Sequence, residues 1–343
     1  MNITQKLVDT MTWAASADKQ VDLPNDSFIT EIDLELSLTM SGSGAAALAT
    51  HGLWRAIQSL KIAGGSGKDY YSMSGVQMGV LMHYLNLVDY PTIRTWHEIV
   101  ATTQIVSWKL HFGSRPYDIF GRRNPCDLSA ALPAMDEANL KLTWTCTPAN
   151  ALDDIITISS GTMRVTVHKV QAVNEAQELA IKRGLYVPVS SSEAYDPGAT
   201  KSNLSGQRFV PTGNYLKRIV IAAQDDTGVG SNGPLFVGNQ VTEVGIKLAK
   251  ANTWLIDAVR TAQLQLNNPK FDGMEVVDTP NVQSPWAPAG FYLLDLRQYD
   301  KEDLGLDTRG LGSNDVILGL TIGAYASGEV EQIWYEQYEP YSR

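Results

Sequence analysis

The sequence lacks the features that mark secreted and membrane-spanning proteins. Only two of its 343 residues are cysteines, Cys126 and Cys146, which is too few for a disulfide framework. We expect both to be free thiols and the protein to be synthesised in a reducing compartment. The N-terminus has no charged start followed by an apolar core and a cleavage site, so no export by a signal peptide is expected. The longest apolar stretch, 70–88, is interrupted by polar residues, whereas a membrane helix needs about 20 mostly apolar ones.

The chain also lacks an excess of positive charge. Its 27 basic residues against 37 acidic ones give a net charge of −10, and a dedicated nucleic-acid binder needs a basic face that releases counterions. No direct nucleic-acid binding is therefore expected. At about 150 residues per domain, the length predicts two domains, each long enough to bury a core.

The strongest pattern in the sequence is alternation of apolar and polar residues. Over residues 31–40 every second side chain is apolar, which is typical of a half-buried antiparallel strand. The same alternation returns at 106–112, 140–146 and 316–322. These segments predict an all-β protein in which sheets face each other across their apolar sides.

Helical spacing is found in few places. Apolar residues three or four apart predict helices over 76–88 and 254–262, and good helix formers closed by a glycine predict another over 174–183. Residues 190–206 are rich in Ser, Gly, Pro and Asp, which places the domain connection within 172–206.

The N-terminal segment has two interpretations. Ile3, Leu7 and Met11 place an apolar stripe on one side of a short helix. In one interpretation this stripe contacts a neighbouring protein or lipid. In the other, the segment is a frayed terminus or a helix docked on its own domain. The two lysines among the first twenty residues favour contact with protein over contact with lipid, because electrostatic anchoring to a membrane usually takes several basic residues.

A weak internal repeat links the two halves. Residues 52–62 read like 213–221, and each segment is a predicted strand entered from a glycine and followed by a polar turn. Further on, the run 127–144 matches 306–322, and a final strand closes each copy at 163–170 and 330–338. The repeat predicts two β-sandwiches of one plan, one in each half.

The motifs that recur in these copies are Gly52-Leu53-Trp54-Arg55 and the runs 127–133 and 306–311. In them the chain resembles double jelly-roll major capsid proteins, the lineage of adenovirus hexon and of tailless icosahedral viruses with an internal membrane. The resemblance spans roughly residues 25–340. It implies an all-β fold of two tandem eight-stranded jelly-roll β-sandwiches with a few short helices in connecting loops.

The implied domain boundaries follow from the same resemblance. We expect an N-terminal arm or short helix at 1–24, the first jelly roll at 25–173, a connecting helix, linker and entry to the second sandwich at 174–206, and the second jelly roll at 207–343.

The function that the resemblance implies is structural. Such a chain forms homotrimers with a pseudo-hexagonal outline, and neighbouring trimers tile the icosahedral capsid of the virion, after synthesis in the host cytoplasm. Further implied partners are minor capsid proteins and an internal viral membrane, reached through the N-terminal segment. The alternatives are a tandem β-sandwich protein that binds or processes carbohydrate, and a minor capsid or vertex protein.

Catalytic motifs are incomplete throughout. Residues 228–233 match G-x-G-x-x-G, but no helical pattern follows, so a loop is expected. The run 64–68 lacks the first glycine and the final hydroxyl of a phosphate loop, and it is predicted to be a polar turn. No Ser lies in a nucleophile elbow. We therefore predict no catalytic residues, no cofactor-binding residues and no cofactor.

Metal-binding patterns are incomplete as well. His97 and Glu98 lack the second histidine of H-E-x-x-H, and the acidic residues of 300–307 lack the spacing of a calcium loop, so a solvated loop is expected. No metal site is predicted. The histidines are scattered along the chain: His51, His83, His97, His111 and His168.

Two further features leave alternatives open. Cys126 and His111 are near each other in sequence and would form a catalytic pair only if the fold joined them. In the C-terminal run 334–341, alternation places Trp334 and Tyr338 on one face and Tyr335 and Gln337 on the other. One face is expected to pack in the sandwich, and the other is either core as well or an interface.

Overall fold

The chain folds into two compact units. The structure is a computed structural model and describes residues 2–42, 47–48, 52–85, 98–99, 101–113, 127–152, 156–225, 235–236, 240–261, 290–297, 304–325 and 329–341. Unit 1 comprises Met1–Val189, Gly230–Gly233 and Pro340–Arg343, and unit 2 comprises Ser190–Val229 and Pro234–Glu339.

Unit 1 is built from two antiparallel sheets. Its strands are β1 (Asn2–Thr12), β2 (Asp18–Asp22), β3 (Phe28–Gly42), β4 (Ala47–Leu48), β5 (Ile57–Ala63), β6 (Asp69–Met73), β7 (Glu98–Ile99), β8 (Thr103–His111), β9 (Leu132–Pro133), β10 (Lys141–Cys146) and β11 (Ile156–Gln171). One sheet has the order β1-β11-β3-β8, with β9 added to β3, and the other has the order β2-β10-β5-β6. The short strands β4 and β7 pair separately.

Unit 2 repeats this arrangement. Its strands are β12 (Tyr186–Tyr195), β13 (Lys201–Phe209), β14 (Tyr215–Asp225), β15 (Leu235–Phe236), β16 (Val241–Leu248), β17 (Thr253–Arg260), β18 (Phe291–Asp295), β19 (Leu306–Asp307), β20 (Val316–Ile322) and β21 (Glu329–Pro340). One sheet joins β12, β21, β14 and β18, with β15 and β19 also paired to β14, and the other has the order β13-β20-β16-β17.

Both units have the topology of a jelly roll. If the eight principal strands of each unit are counted in chain order, both units give one sheet ordered 1-8-3-6 and one ordered 2-7-4-5. This is the strand order of an eight-stranded double-sheet jelly roll. The predicted fold class, two tandem jelly-roll sandwiches with few helices, is confirmed.

The alternating segments line the cores as predicted. On β3 the side chains of Ile32, Leu34, Leu36 and Leu38 are all buried, while Glu35 between them is exposed. In unit 2, the inward side chains of β14, β16 and β20 form a single buried apolar cluster. Burial of one face fixes the register of each strand, because a slip by one residue would expose the whole apolar set.

Two of the three predicted helices of the chain interior are present. Helix α1 spans Gly75–Tyr84, and helix α2 spans Glu175–Arg183. The Asn174 side chain caps α2 by accepting a hydrogen bond from the Gln177 N–H (2.9 Å), and Gly184 follows its last turn. Acidic residues in the first turn of α2 and basic residues in the last complement the helix dipole.

The cap of α2 gives a first prediction. Replacing Asn174 with alanine removes the acceptor of an N-terminal N–H and should lower the free energy of unfolding by about 0.5–2 kcal/mol. Asn174→Ser keeps a capping oxygen and should lower the free energy of unfolding by only about a few tenths of a kcal/mol. Denaturant unfolding of the two variants measures the difference, and equal losses would contradict the assignment of Asn174 as the cap.

Two local predictions are wrong, and strand pairing explains each one. The N-terminal segment is strand β1, not a helix, because it pairs with β11 from Asn2 to Thr12. The helix predicted over 254–262 is strand β17, which pairs with β16. Within the expected connection, most of residues 190–206 lie in β12 and β13.

These differences change the domain boundaries. Because β1 and β2 belong to the sheets of unit 1, the first jelly roll takes in the residues assigned to an arm at 1–24. The division between the units falls at Val189 and Ser190, which is within the expected connection 174–206.

One of the three repeat matches is also out of step. Residues 52–62 form a 3-10 turn (Gly52–Ala56) and then β5, the fourth principal strand of unit 1, whereas 213–221 lead into β14, the third principal strand of unit 2. The other two matches pair equivalent strands, β10 with β20 and β11 with β21. Among the described residues, no helix is long and apolar enough to span a membrane.

Candidate functional site: a charged row in each sandwich

Each unit carries a row of charged side chains across three neighbouring strands of one sheet. In unit 1, Glu31 of β3 pairs with His168 of β11 and with His111 of β8; we call these three residues the Glu31 row. In unit 2, the Arg218 row consists of Arg218 of β14, Glu336 of β21 and Asp295 of β18.

The two rows occupy equivalent positions. In unit 1 the pairing of β3 with β11 has a bulge next to the row, between Lys169 and His168. In unit 2 the pairing of β14 with β21 has a bulge at the same place, between Leu216 and Arg218. A matching backbone hydrogen bond follows, from the Phe112 N–H to the Thr30 carbonyl (3.0 Å) and from the Leu296 N–H to the Lys217 carbonyl (2.9 Å). The central residue is therefore an acid in one sandwich and a base in the other.

The Glu31 row lies on the sheet face turned away from the core of unit 1. The Glu31 side chain is only 2% exposed; its Oε2 lies 3.5 Å from His111 Nδ1 and its Oε1 lies 3.8 Å from His168 Nε2. Lys109 adds a cation, with Nζ 3.5 Å from Glu31 Oε1. A buried carboxylate thus has two imidazoles and an ammonium around it.

Asp33, two residues along β3 on the same face, extends the row. His168 Nε2 lies 2.8 Å from Asp33 Oδ2, and Lys109 Nζ donates to Asp33 Oδ1 at 2.6 Å. Burial acts to raise the pKa of Asp33, but the hydrogen bonds from His168 and Lys109 outweigh it and lower the pKa to about 2. Asp33 is therefore a carboxylate at neutral pH.

The His111 side chain is as enclosed as that of Glu31. It is 2% exposed, and neither ring nitrogen has a hydrogen-bond partner within the part of the chain that the structure describes. Its Nε2 lies 3.9 Å from Asp127 Oδ2. Gly113 permits this approach, because a Cβ at that position would overlap both the His111 ring and the Asp127 carboxylate.

A groove of about 290 Å³ opens beside the Glu31 row. Gln5, Asp33, Lys109 and Arg164 are among the side chains that line it. Trp108 also borders the groove, but its side chain is buried and faces the core. The groove is therefore polar, and Asp33 and Lys109, which contact the row, lie at its wall.

The Arg218 row forms a buried ionic network of alternating sign. Arg218 donates to Asp295 (3.1 Å) and to Glu336 (2.9 Å). Lys217 pairs with Glu336 (3.0 Å), and Arg297 pairs with Asp295 (2.5 Å). These five side chains are 14% exposed or less. Each charge in the network is therefore buried and paired with a charge of opposite sign.

The network shifts the ionisation of its members. Burial acts to raise the pKa of Asp295, but Arg218 and Arg297 outweigh it, so that the pKa falls well below its usual range. In the same way, Lys217 and Arg218 lower the pKa of Glu336. Burial lowers the pKa of Lys217 to about 8 in spite of the opposing effect of Glu336.

Because the folded pKa values of Asp295 and Glu336 are depressed, their ionisation stabilises the fold above the unfolded values of about 4. We expect the free energy of unfolding to fall as the pH drops below about 4, since the unfolded chain then binds more protons. Denaturant midpoints measured between pH 7 and pH 3 test this. Glu336→Gln should flatten the pH dependence, whereas Asp22→Asn, at a pair whose aspartate is 81% exposed, should leave it steep. Equal slopes would contradict the assignment.

The structure describes only some of the candidate residues considered in the sequence. His111 contacts Glu31 and Asp127, while Cys126 lies outside the described residues, as do residues 228–233, His97 and the acidic residues 300–303. The run 64–68 is the turn between β5 and β6, in which the Gly64 N–H donates to the Lys68 carbonyl. No sequence motif indicated the Glu31 row, whose members are far apart along the chain.

The C-terminal aromatic strand is core on both faces. Trp334, Tyr335, Gln337 and Tyr338 are all buried within the single chain. Tyr335 donates to Glu193 (2.7 Å) and Gln337 donates to the Pro211 carbonyl (2.9 Å). The second face of this strand is therefore core and not an interface, because these side chains are not available to another subunit.

The two sandwiches define the class of this protein, which is a double jelly-roll protein. No protein-family model and no curated protein matches the sequence. Among solved structures, the chain is similar to the major capsid protein of Sulfolobus turreted icosahedral virus (STIV), with a TM-score of 0.73 and 18% identity over 99% of this chain and 98% of that one.

Two further structures show the same likeness. The major capsid protein P2 of bacteriophage PM2 matches with a TM-score of 0.59 and 12% identity over 100% of this chain and 99% of that one. The capsid of PBCV-1 matches with a TM-score of 0.57 and 13% identity over 98% and 94%. The double jelly-roll fold expected from the sequence resemblance is thereby shown over almost the whole chain.

Proposed function

We propose that this chain is the major capsid protein of an icosahedral virus, located in the capsid of the virion after synthesis in the host cytoplasm. The observation that carries the proposal is the full-length likeness to the STIV capsid protein, which leaves almost no residue of either chain unmatched. A chain that used one jelly roll of a larger enzyme would match over part of its length.

The duplicated fold suits this role. Three copies of a chain with two similar sandwiches present six similar units, so a trimer acquires a pseudo-hexagonal outline and tiles a shell with one gene product. Such a ring closes through contacts between unlike surfaces of neighbouring copies. The net charge of −10 keeps free subunits soluble until these contacts form. We propose assembly without catalytic turnover and without direct contact with the genome.

The proposed partners are copies of this chain, first within the trimer and then between trimers, together with minor capsid proteins. Strand β1 changes one expectation. The N-terminal residues hydrogen-bond along the edge of the unit 1 sheet, so they do not form the amphipathic helix through which contact with an internal membrane was expected. We therefore do not assign membrane contact to this segment.

Light scattering during size-exclusion chromatography tests the proposal. The molar mass measured by light scattering for the purified full chain should be three times the 37.5 kDa of the monomer. The trimer should persist on dilution and in high salt. A monomer at every concentration would overturn it. If the protein is the major component, its copy number in purified particles should exceed that of every other capsid protein, and a low copy number would indicate a minor or vertex protein.

The carbohydrate alternative is the weaker one. Binding to sugar rings commonly uses exposed aromatic faces, but the tryptophans and tyrosines whose burial the structure describes are buried or half-buried. Among the side chains that the structure describes, Phe209 alone is an exposed aromatic, and the groove beside the Glu31 row offers none. A blank glycan array would agree with this, whereas saturable binding of an oligosaccharide would favour the alternative.

A further inference from the structure

We propose that Glu31, Asp33 and His168 form a binding site for one divalent transition-metal ion, such as Zn²⁺, within unit 1, and that His111 lies beside it. The ligand atoms of Glu31, Asp33 and His168 all lie within 4.8 Å of one another. Imidazole nitrogens and carboxylate oxygens are the donors that such ions take in proteins. The inference does not depend on the proposed capsid function.

The spacing of these atoms fits a single small ion. With ligand bonds of about 2.0–2.2 Å, two ligands of one tetrahedral Zn²⁺ lie about 3.3 Å apart. His168 Nε2 and Glu31 Oε1 are 3.8 Å apart, close to this spacing. His168 and Asp33 are closer, at 2.8 Å, because they share a hydrogen bond that an ion would replace.

His111 supports a metal site independently of the spacing of the ligand atoms. It is almost fully buried, and neither of its nitrogens has a hydrogen-bond partner among the residues described, although a buried polar group normally has one. The 3.5 Å separation from Glu31 is too long for a good hydrogen bond. Nδ1 is turned toward the carboxylate that would bind the ion, and Asp127 lies on the Nε2 side of the ring.

Lys109 competes with the ion for the same carboxylates. Its ammonium contacts both Asp33 and Glu31 and thus supplies their counter-charge when no metal is bound. The Lys109 side chain is 30% exposed and borders the groove, so it can turn outward when an ion enters. Removing this ammonium should therefore tighten metal binding, an effect that no merely structural role of Lys109 produces.

The Arg218 row of unit 2 offers no second site of this kind. At the position equivalent to Glu31 it carries Arg218, whose guanidinium already lies between Asp295 and Glu336. A guanidinium donates hydrogen bonds and has no lone pair for a metal. The expected stoichiometry from the two charged rows is therefore one ion per chain.

The test is a calorimetric titration of the full-length, chelator-treated protein with ZnCl₂. We expect saturable binding of one ion per chain, weakened about tenfold or more by His168→Gln and strengthened at least threefold by Lys109→Met. Glu35→Gln is the matched control, because Glu35 is the next carboxylate on the same face of β3 but lies outside the cluster; it should leave the affinity unchanged.

Co²⁺ provides a readout that does not depend on the variants. Bound in place of Zn²⁺ by one imidazole, two carboxylates and a water molecule, it should give the intense visible absorption of a four-coordinate site, and Zn²⁺ should displace it. The proposal is overturned if the wild-type protein shows no saturable binding, if the Co²⁺ spectrum is the weak one of a six-coordinate aqueous ion, or if the affinity is the same in His168→Gln, Lys109→Met and Glu35→Gln.

Discussion

Replacing Arg218 with methionine is expected to lower the free energy of unfolding of unit 2 by about 3–5 kcal/mol, the usual loss when one partner of a buried ion pair is removed. Methionine fills much of the same volume, so the loss reports charge more than packing. Arg218 is the central cation that contacts both Asp295 and Glu336. Without it, two buried carboxylates retain only Arg297 and Lys217 as cationic partners in the network.

The matched control is Arg309→Met. Arg309 also pairs with an aspartate, Asp307, but the two side chains are 45% and 49% exposed, so the loss should stay below about 1 kcal/mol. Hydrogen exchange read peptide by peptide should show the loss of protection for Arg218→Met in β14, β18 and β21. Equal, small effects of both substitutions would show that the Arg218 row does not stabilise unit 2.

Replacing Trp54 with alanine should destabilise unit 1 by about 3–5 kcal/mol, the range found when a large aromatic core residue is truncated. The Trp54 ring is buried and meets the Trp108 ring edge to face, with centroids 4.8 Å apart and planes at 62°. On its other side it packs against α1, where a Cβ on Gly79 would lie 2.6 Å from a ring carbon. Trp54 therefore joins the helix to strand β8.

Gly79 makes this prediction sharper. In the wild-type protein, Gly79→Ala should be destabilising by about 1–3 kcal/mol, because the added methyl group overpacks against Trp54. In a Trp54→Ala background the same change should become neutral or stabilising, since alanine favours a helix over glycine by about 1 kcal/mol. Denaturant unfolding of the four proteins of this double-mutant cycle gives the coupling. Additive effects would mean that Trp54 does not pack against α1.

Strands with one buried face could be predicted from the sequence, and strands with a mixed environment could not. β3 and β20 show clean alternation because a single core dictates every second residue. In β1 the apolar positions 3, 7 and 11 are four apart, a spacing that keeps residues on one side of a helix and also on one side of a strand. Only the pairing of β1 with β11, which includes a bulge near Leu7, decides between them.

The charged rows were beyond sequence reasoning for a different reason. Glu31, His111 and His168 come from three strands, and their contact depends on the register of two ladders, which no local pattern reports. Helix α2 shows the opposite case, because its capping Asn174 and closing Gly184 are adjacent to the helix in sequence and act locally. Local chemistry was predictable, and chemistry assembled across strands was not.

Electron microscopy of the purified, full-length protein tests the central claim most directly. If two jelly rolls of one plan serve to build a capsid, averaged particles should show threefold symmetry and six lobes in a hexagonal outline. Particles that remain single two-lobed molecules at every concentration, or that average to an assembly without a threefold axis, would contradict the claim.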